Sequence, residues 1–319
     1  MKNLMVFSLG ISMLASVSLA HAQSGADNYP AKPITMIVAY PPGGSTDVTA
    51  RIIADKLGHS LGQAIVVENR AGASGTIGAS YAAQAKPDGY TIFFGSAAEL
   101  TIAPVARQDL NYNPLQDFEP VTQIGRVPFL LVVNPKVPSN NLQELIEWLR
   151  SRDGAANYSS FGANTVNHLV GESFLRAADV KANHVPYKGS APSIQDVIGG
   201  HIDYTFDTIA ATLPQIRADR LKPIAISTED RSVLTPDVPT LSEAGLTGFS
   251  GYTWSSVLVP AGTSKDIVQK LYDELAIIVN SDEVRSQLGK LGIEPVGSEP
   301  RRFQEFIQAE ITRWSELMK

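Results

Sequence analysis

The sequence predicts an α/β fold: mostly parallel sheet flanked by helices, divided over two domains. Three observations carry this. Short runs of β-favouring residues alternate with amphipathic helical stretches across loops of a few residues. Two passages, one in each half, share the plan of strand, small-residue loop and helix. And 319 residues is long for a single core.

The first 22 residues stand apart from that fold. Lys2 precedes an apolar run over 4–19, and Ala20-His21-Ala22 is a small-x-small cleavage site, the plan of a secretory signal peptide. A membrane anchor is the competing reading, but the run is short and carries Ser8, Ser12, Ser16 and Ser18. Removing 22 of 319 residues leaves 297 with 25 basic and 32 acidic side chains, a balance of −7. An acidic surface argues against nucleic acid or an anionic membrane as partner. With no cysteine, disulfides, thiolate metal sites and thiol catalysis are excluded.

Residues 34–61 organise the rest. Ile34 to Tyr40 reads as a buried strand. Tyr40-Pro-Pro-Gly-Gly-Ser-Thr-Asp47 breaks it, and Val48, Ile52, Ile53, Leu57 and Leu61 form one helical stripe. Ser45 or Thr46 is expected to cap this helix, and Asp47 to suit its positive end. Gly43 and Gly44 leave the backbone bare where the helix begins, so its free N–H groups form a ready anion site. A strand–helix turn with no ligand is the alternative at this point.

A strand over 64–68 follows, then Gly72, Gly75 and Gly78 at every third position. These match no nucleotide-binding loop, and Gly75 and Gly78 are expected to let a helix to residue 85 approach the sheet. Arg70 is expected to pair rather than bind a ligand. A third strand over 90–94 ends at Ser96-Ala97-Ala98, which brings a second loop to the same rim as residues 43–47. Residues 118–134 read as an extended connection. Helix 142–149 buries Leu142, Leu145, Ile146 and Leu149. Residues 158–165 repeat the first device, running into a helix over 166–178, again with no cation in the loop. Strands are expected over 182–186, 202–206 and 222–227, with a helix over 193–198 between the first two. A short helix is expected near Leu241. Residues 249–259 are extended, and helices over 264–279, 282–291 and 301–318 close the chain, with Phe303, Phe306, Ile307, Ile311 and Trp314 inward.

No acid–base or metal constellation emerges. His59, His168, His184 and His201 show no metal-ligand spacing, and there is no Gly-x-Ser-x-Gly elbow. Ser45, Ser96 and Ser160 are nucleophile candidates only with an adjacent base, and Asp47 with Asp207 is a candidate carboxylate pair. Lys188 is the one cation near a candidate loop. Helix starts aimed at one cleft, without such a constellation, favour binding over catalysis.

Several motifs resemble the Bug-type extracytoplasmic solute receptors, the binding components of tripartite tricarboxylate transporters. They are Tyr29-Pro-x-Lys-Pro-Ile34 with residues 40–47 and Arg51, and Val67-Glu-Asn-Arg70 with the three glycines. Asp88-Gly-Tyr-Thr91, His184-Val-Pro-Tyr-Lys-Gly189, Pro239-Thr-Leu-Ser-Glu-Ala-Gly245 and Pro260-Ala-Gly-Thr263 join them. The resemblance implies a two-lobed periplasmic binding fold of the Venus-flytrap, type II-like class, with two crossover strands. It implies a first lobe of 23–126 and 253–319, and a second of 127–252, closing about crossings near 126–129 and 252–256.

It also implies the site. The ligand carboxylate meets Gly43, Gly44, Ser45, Thr46 and Asp47 from one lobe and Ser160, Phe161, Asn164, Thr165 and His168 from the other, partly through water. Tyr40 lines the pocket, Ser96, Ala97 and Ala98 contribute from the third strand, and Asp207 faces the cleft. Asn164 stands where the family has glycine, adding an amide at the pocket wall, and Glu99 is unexpected near an acid site.

The expected protein is a periplasmic, monomeric receptor for a di- or tricarboxylate or an aromatic carboxylate. It needs no cofactor or metal, and integral membrane transporter subunits are its partners. An exported sensor reporting to a membrane kinase, or an exported serine hydrolase, stand as alternatives.

Overall fold

The computed structural model describes residues 28–187 and 189–318. The expected signal peptide and Lys188 lie outside them. In chain order the elements are β1 (Ile34–Val38), α1 (Ser45–Leu61), β2 (Ile65–Asn69), α2 (Thr76–Ala83), β3 (Thr91–Ser96), α3 (Ala103–Ala106) and β4 (Phe118–Val133). Then come α4 (Leu142–Arg152), β5 (Asn157–Ser160), α5 (Val166–Ala178), β6 (Asn183–Pro186), α6 (Ser190–Gly199), β7 (Tyr204–Thr208), α7 (Ile209–Arg217) and β8 (Lys222–Ile226). Finally β9 (Tyr252–Pro260), α8 (Lys265–Asn280), α9 (Asp282–Lys290), β10 (Glu294–Pro295) and α10 (Pro300–Leu317) complete the fold.

The strands lie in the order β2-β1-β3-β9-β4-β7-β5-β6, with β8 and β10 also bonded to β4. β1 pairs in parallel with β2 and β3, and β5 with β6 and β7. Helices cover both faces of these parallel strands, which explains why β1 reads as an unbroken apolar run. Met36 and Val38 of β1 join Ile53 and Leu57 of α1 and Leu271 and Leu275 of α8 in one buried cluster. On the other face Phe93, Phe118, Trp254, Phe303, Ile307 and Trp314 pack together, with the rings of Trp254 and Phe303 edge-to-face at 5.6 Å.

β4 joins the two lobes. Up to Pro128 it pairs antiparallel with β9, and from Phe129 onward with β7. Proline has no N–H for the ladder, so Pro128 marks the seam where one partner strand gives way to the other. The register also slips after Pro120 and after Gln123. β9 starts beside this seam at Tyr252, opposite Pro128. The segment read as a connection is thus a 16-residue strand and the spine of the molecule.

Several expectations need correction. Gly44 occupies the cap position of α1 with no side-chain cap bond, so neither Ser45 nor Thr46 caps it. Its inward face runs through Ala50, Ile53, Ala54 and Leu57, with Val48, Ile52 and Leu61 half-buried. α8 begins one residue later than expected, with Ser264 as its cap. No helix forms near Leu241. Thr240 and Glu243 do exchange the reciprocal hydrogen bonds of a capping box, but Gly245 at φ 120° and Gly248 at φ 76° divert the chain at once. α6 starts three residues early, since Pro192 falls in a first turn whose N–H groups lack intrahelical partners. α7 and the helical stretch over 98–106 were not anticipated. Gly78 behaves as expected: a Cβ there would lie 2.8 Å from Ala39 Cα. Among the described residues no helix is long and apolar enough to cross a membrane.

Candidate functional site

Strand register brings the two rims together. Ser96, the last residue of β3, is level with Ser255, which is level with Gly125 on β4. Thr208, the last residue of β7, is level with Phe129 on the same β4. β3 and β7 run in opposite directions, so their C-terminal ends point at each other across the seam. Phe129 lies four steps beyond Gly125 along β4, roughly 13 Å at about 3.3 Å per residue. Residues 40–47 and 96–99 issue from one rim, and residues 160–165 and 207–208 from the other. Phe161 packs on Phe129 at the seam, ring centroids 6.3 Å apart.

The first loop is held by its own acid. Asp47 is buried, and its Oδ2 accepts from Gly43 N and Arg51 Nε, both at 2.9 Å. Its Oδ1 accepts from Asn69 Nδ2 at 2.8 Å, and the same amide donates to Tyr40 O. Led by the Arg51 hydrogen bond, these donors hold its pKa down to about 2. The Asp47 carboxylate therefore fixes the loop and consumes the Gly43 N–H. Ser45, Thr46 and Asp47 still present N–H groups ahead of the first intrahelical bond, from Val48 N to Gly44 O at 2.9 Å. Gly43, Gly44 and Ser45 are exposed and Thr46 half-buried. Arg70 pairs with Glu68 at 2.6 Å and stacks on Tyr81.

Behind this loop lies a buried acid. Glu99 has no exposed surface. Its Oε2 accepts from Tyr40 Oη at 2.8 Å and Ser96 Oγ at 2.7 Å, and its Oε1 from Ser96 N at 2.5 Å. Burial outweighs these donors and pushes its pKa up to about 7. The hydroxyls of Tyr40 and Ser96 are thus turned inward onto Glu99. Ala97 is wholly buried and Ala98 half-buried.

In the second lobe Ser160 is buried. Its Oγ donates to Gly162 O at 2.9 Å, accepts from Gly162 N at 3.2 Å and lies 2.6 Å from His184 Nε2. Having spent its only proton on a carbonyl, Ser160 accepts from His184. That polarity is the reverse of a nucleophile beside its base. Thr165 Oγ1 faces Gly162 O at 2.7 Å and Asn167 Oδ1 at 2.8 Å, and Asn167 ties the loop to Phe206 O. Asn164, exposed and at φ 61°, donates its N–H to His168 Nδ1 at 3.2 Å. Val166, Asn167 and His168 precede the first intrahelical bond of α5, from Leu169 N to Thr165 O. Each lobe thus offers three first-turn N–H groups.

Asp207 departs from expectation. It has no exposed surface; both its oxygens accept from Ser190 Oγ at 2.9 Å, and Oδ1 also from Thr208 N at 2.7 Å. It is sealed under the start of α6 instead of facing the cleft, and burial pushes its pKa up to about 7. It lies on the opposite rim from Asp47, and the two form no carboxylate pair. The sequence missed His184, Asn69, Asn167 and Ser190 as supports. All four act through side-chain contacts between segments, which leave no local signature.

Elsewhere a cavity of about 550 Å³ lies between α5, the 245–250 loop and α10. None of its lining residues belongs to the rim loops, and its Arg313 is tied to Ser250 O at 2.6 Å. Among the described residues no group of His, Asp and Glu has the arrangement of a metal site.

Comparison with known proteins agrees with this geometry. Residues 49–319 match the family model TctC, the tripartite tricarboxylate transporter family receptor. Protein BugT of Bordetella pertussis (strain Tohama I) is 38% identical over 307 residues, covering 96% of this chain and 94% of that protein. Among solved structures, R. palustris Rpa4515 with adipate is 35% identical, with a TM-score of 0.79 over 91% of this chain and 97% of that one. MatC (Rpa3494) from Rhodopseudomonas palustris, with bound malate, is 32% identical, with a TM-score of 0.75 over 91% of this chain and all of that one. The fold is that of the two-lobed periplasmic binding proteins. By the span and identity of these matches, the chain belongs to the family of tripartite tricarboxylate transporter receptors.

Proposed function

We propose that this protein is a periplasmic receptor that captures a small organic acid between its lobes and presents it to a membrane transporter. The observation that carries this is the head-to-head meeting of β3 and β7 across four steps of β4. It turns the loops that lead into α1 and α5 toward the same stretch of β4. The ligand carboxylate is held by the N–H groups of Ser45, Thr46 and Asp47 on one side and of Val166, Asn167 and His168 on the other. Amide dipoles stabilise a carboxylate without a formal opposing charge, which suits a protein that must release its cargo. Asn164 extends toward the far end of the ligand. The lobe boundaries fall at 126–127 and 252–253, either side of the seam, and closure bends β4 and β9 there.

The relatives solved with adipate and malate support a carboxylic acid as ligand. Calorimetric titration of the mature chain with a panel of aliphatic and aromatic mono-, di- and tricarboxylates tests the reading. The expected result is one-to-one binding of at least one acid, recovered chemically unchanged. Failure of every carboxylate to bind, or a liganded crystal with the acid held chiefly by Lys and Arg, overturns it.

A further inference from the structure

Two histidines stand directly behind the second-lobe loop. The rings of His168 on α5 and His184 on β6 stack with centroids 3.9 Å apart and planes 28° apart. Each ring holds a different end of the loop. His184 Nε2 donates to Ser160 Oγ at 2.6 Å, at the strand end. His168 Nδ1 accepts the Asn164 N–H at 3.2 Å, at the tip. The second bond exists only while His168 Nδ1 carries no proton. Protonation there sets two N–H groups against each other and places a charge in face contact with a second imidazole.

We propose that the His168–His184 stack positions the second-lobe binding loop, and that proton uptake by His168 frees the loop and weakens the hold on the ligand. This rests on the receptor reading above and adds its regulation: cargo is held near neutral pH and let go in acid. The surroundings fit the switch. Among the described residues, the titratable groups meeting the stack are Glu172 from α5, Tyr158 from β5 and, behind it, Tyr204 from β7. Glu172 Oε1 lies 3.7 Å from His168 Nε2 and also accepts from Tyr158 Oη. A protonated His168 therefore has a carboxylate to turn to on leaving Asn164.

Burial lowers the pKa of His168 from its ordinary 6.5, and burial together with His168 lowers that of His184 to about 4. Since the ordered loop disfavours the proton, its stability is complete above 6.5 and falls as pH drops below that value. Glu99 and Asp207 take up protons in an overlapping range. Their neutralisation makes the gap less negative and strengthens anion binding, so it acts with the opposite sign.

The test is a calorimetric pH series from about 7.5 down to about 5.5 using the tightest acid from the panel, with His168→Gln titrated in parallel so that the ligand's own protonation is subtracted. The wild type is expected to weaken by roughly three- to tenfold. His168→Gln is expected to bind less tightly at the top of the range and to show no such fall. Glu172→Gln is expected to move the fall to lower pH, because its charge is what favours His168 protonation. A ligand-free arm follows the hydrogen-exchange protection of the Asn164 amide, which is expected to decline over the same range in wild type only. Flat wild-type affinity and protection, or an unchanged slope in His168→Gln, overturns the proposal. If no acid binds, the receptor reading fails, while Asn164 protection still decides this one.

Discussion

The carboxylate of Asp47 accepts the Gly43 N–H at 2.9 Å, four residues earlier in the chain. This acid is the clamp that shapes the loop ahead of α1, since the same oxygen also accepts from Arg51 Nε. Asp47→Asn should weaken folding by about 1.5–3 kcal/mol at neutral pH, since a charge-assisted acceptor is lost. The Asp47 pKa is lowered to about 2 from 3.8. Its contribution is therefore complete above 3.8 and disappears as pH falls through 2. Urea unfolding of both proteins should show a gap at pH 7 that closes in strong acid.

The N–H of Ser45 should matter for ligand and little for folding. Gly44 already sits at φ −75°, ψ 165°, the extended conformation that a following proline requires, and the first helical position tolerates proline. Ser45→Pro should leave the melting temperature nearly unchanged and cost about 1.5–3 kcal/mol in affinity by calorimetry. Undiminished affinity would remove the α1 start from the site.

Glu99 makes stability depend on pH in the direction opposite to Asp47. Its folded pKa is raised from 4.5 to about 7, so the folded state binds the extra proton between those values. Stability should fall as pH rises from about 4.5 to 7 and level off above. Asp207 adds a fall of the same sign. Glu99→Gln should flatten part of the profile, read as melting temperature against pH, and leave the Asp207 part in place.

Arg126 bridges segments that pair with β4 on either side of Pro128. Its Nε meets Glu294 of β10 at 2.9 Å and its Nη1 meets Glu229 after β8 at 3.3 Å. Glu229 in turn accepts from Ser250 Oγ at 2.6 Å. Arg126→Gln should loosen the relation between the lobes. Small-angle scattering of the ligand-free protein should show a larger radius of gyration, and hydrogen exchange should quicken around residues 227–231.

Gly78→Ala tests the contact of α2 with the end of β1. The added methyl would lie 2.8–2.9 Å from Ala39 Cα, Ala39 Cβ and Arg70 O. Two of these three are main-chain atoms and cannot rotate away, so overpacking of about 1–3 kcal/mol is expected. A lower melting temperature with unaltered ligand specificity is the outcome to look for.

What the sequence determined by itself is what depends on neighbours along the chain. Apolar runs and their period placed the α/β class. The helices from 142 and from 166 and the two loop-to-helix passages were legible too, because strand, turn and cap signals act within a few residues. α7 escaped because Pro214 argues against a helix that tertiary packing nevertheless supports. Tertiary structure alone decided which way each polar side chain points. The sequence and its family resemblance place Asp47, Asp207, Ser160, Tyr40 and Ser96 among the expected ligand contacts. Each turns inward because a partner remote in sequence (Asn69, Ser190, His184 or Glu99) or a buried main-chain N–H satisfies it there. A buried polar group left unpaired costs about 1–3 kcal/mol, so each finds its partner within the fold. The pairing of strands across the β4 seam set the gap itself, and no local pattern encodes the distance between two rims.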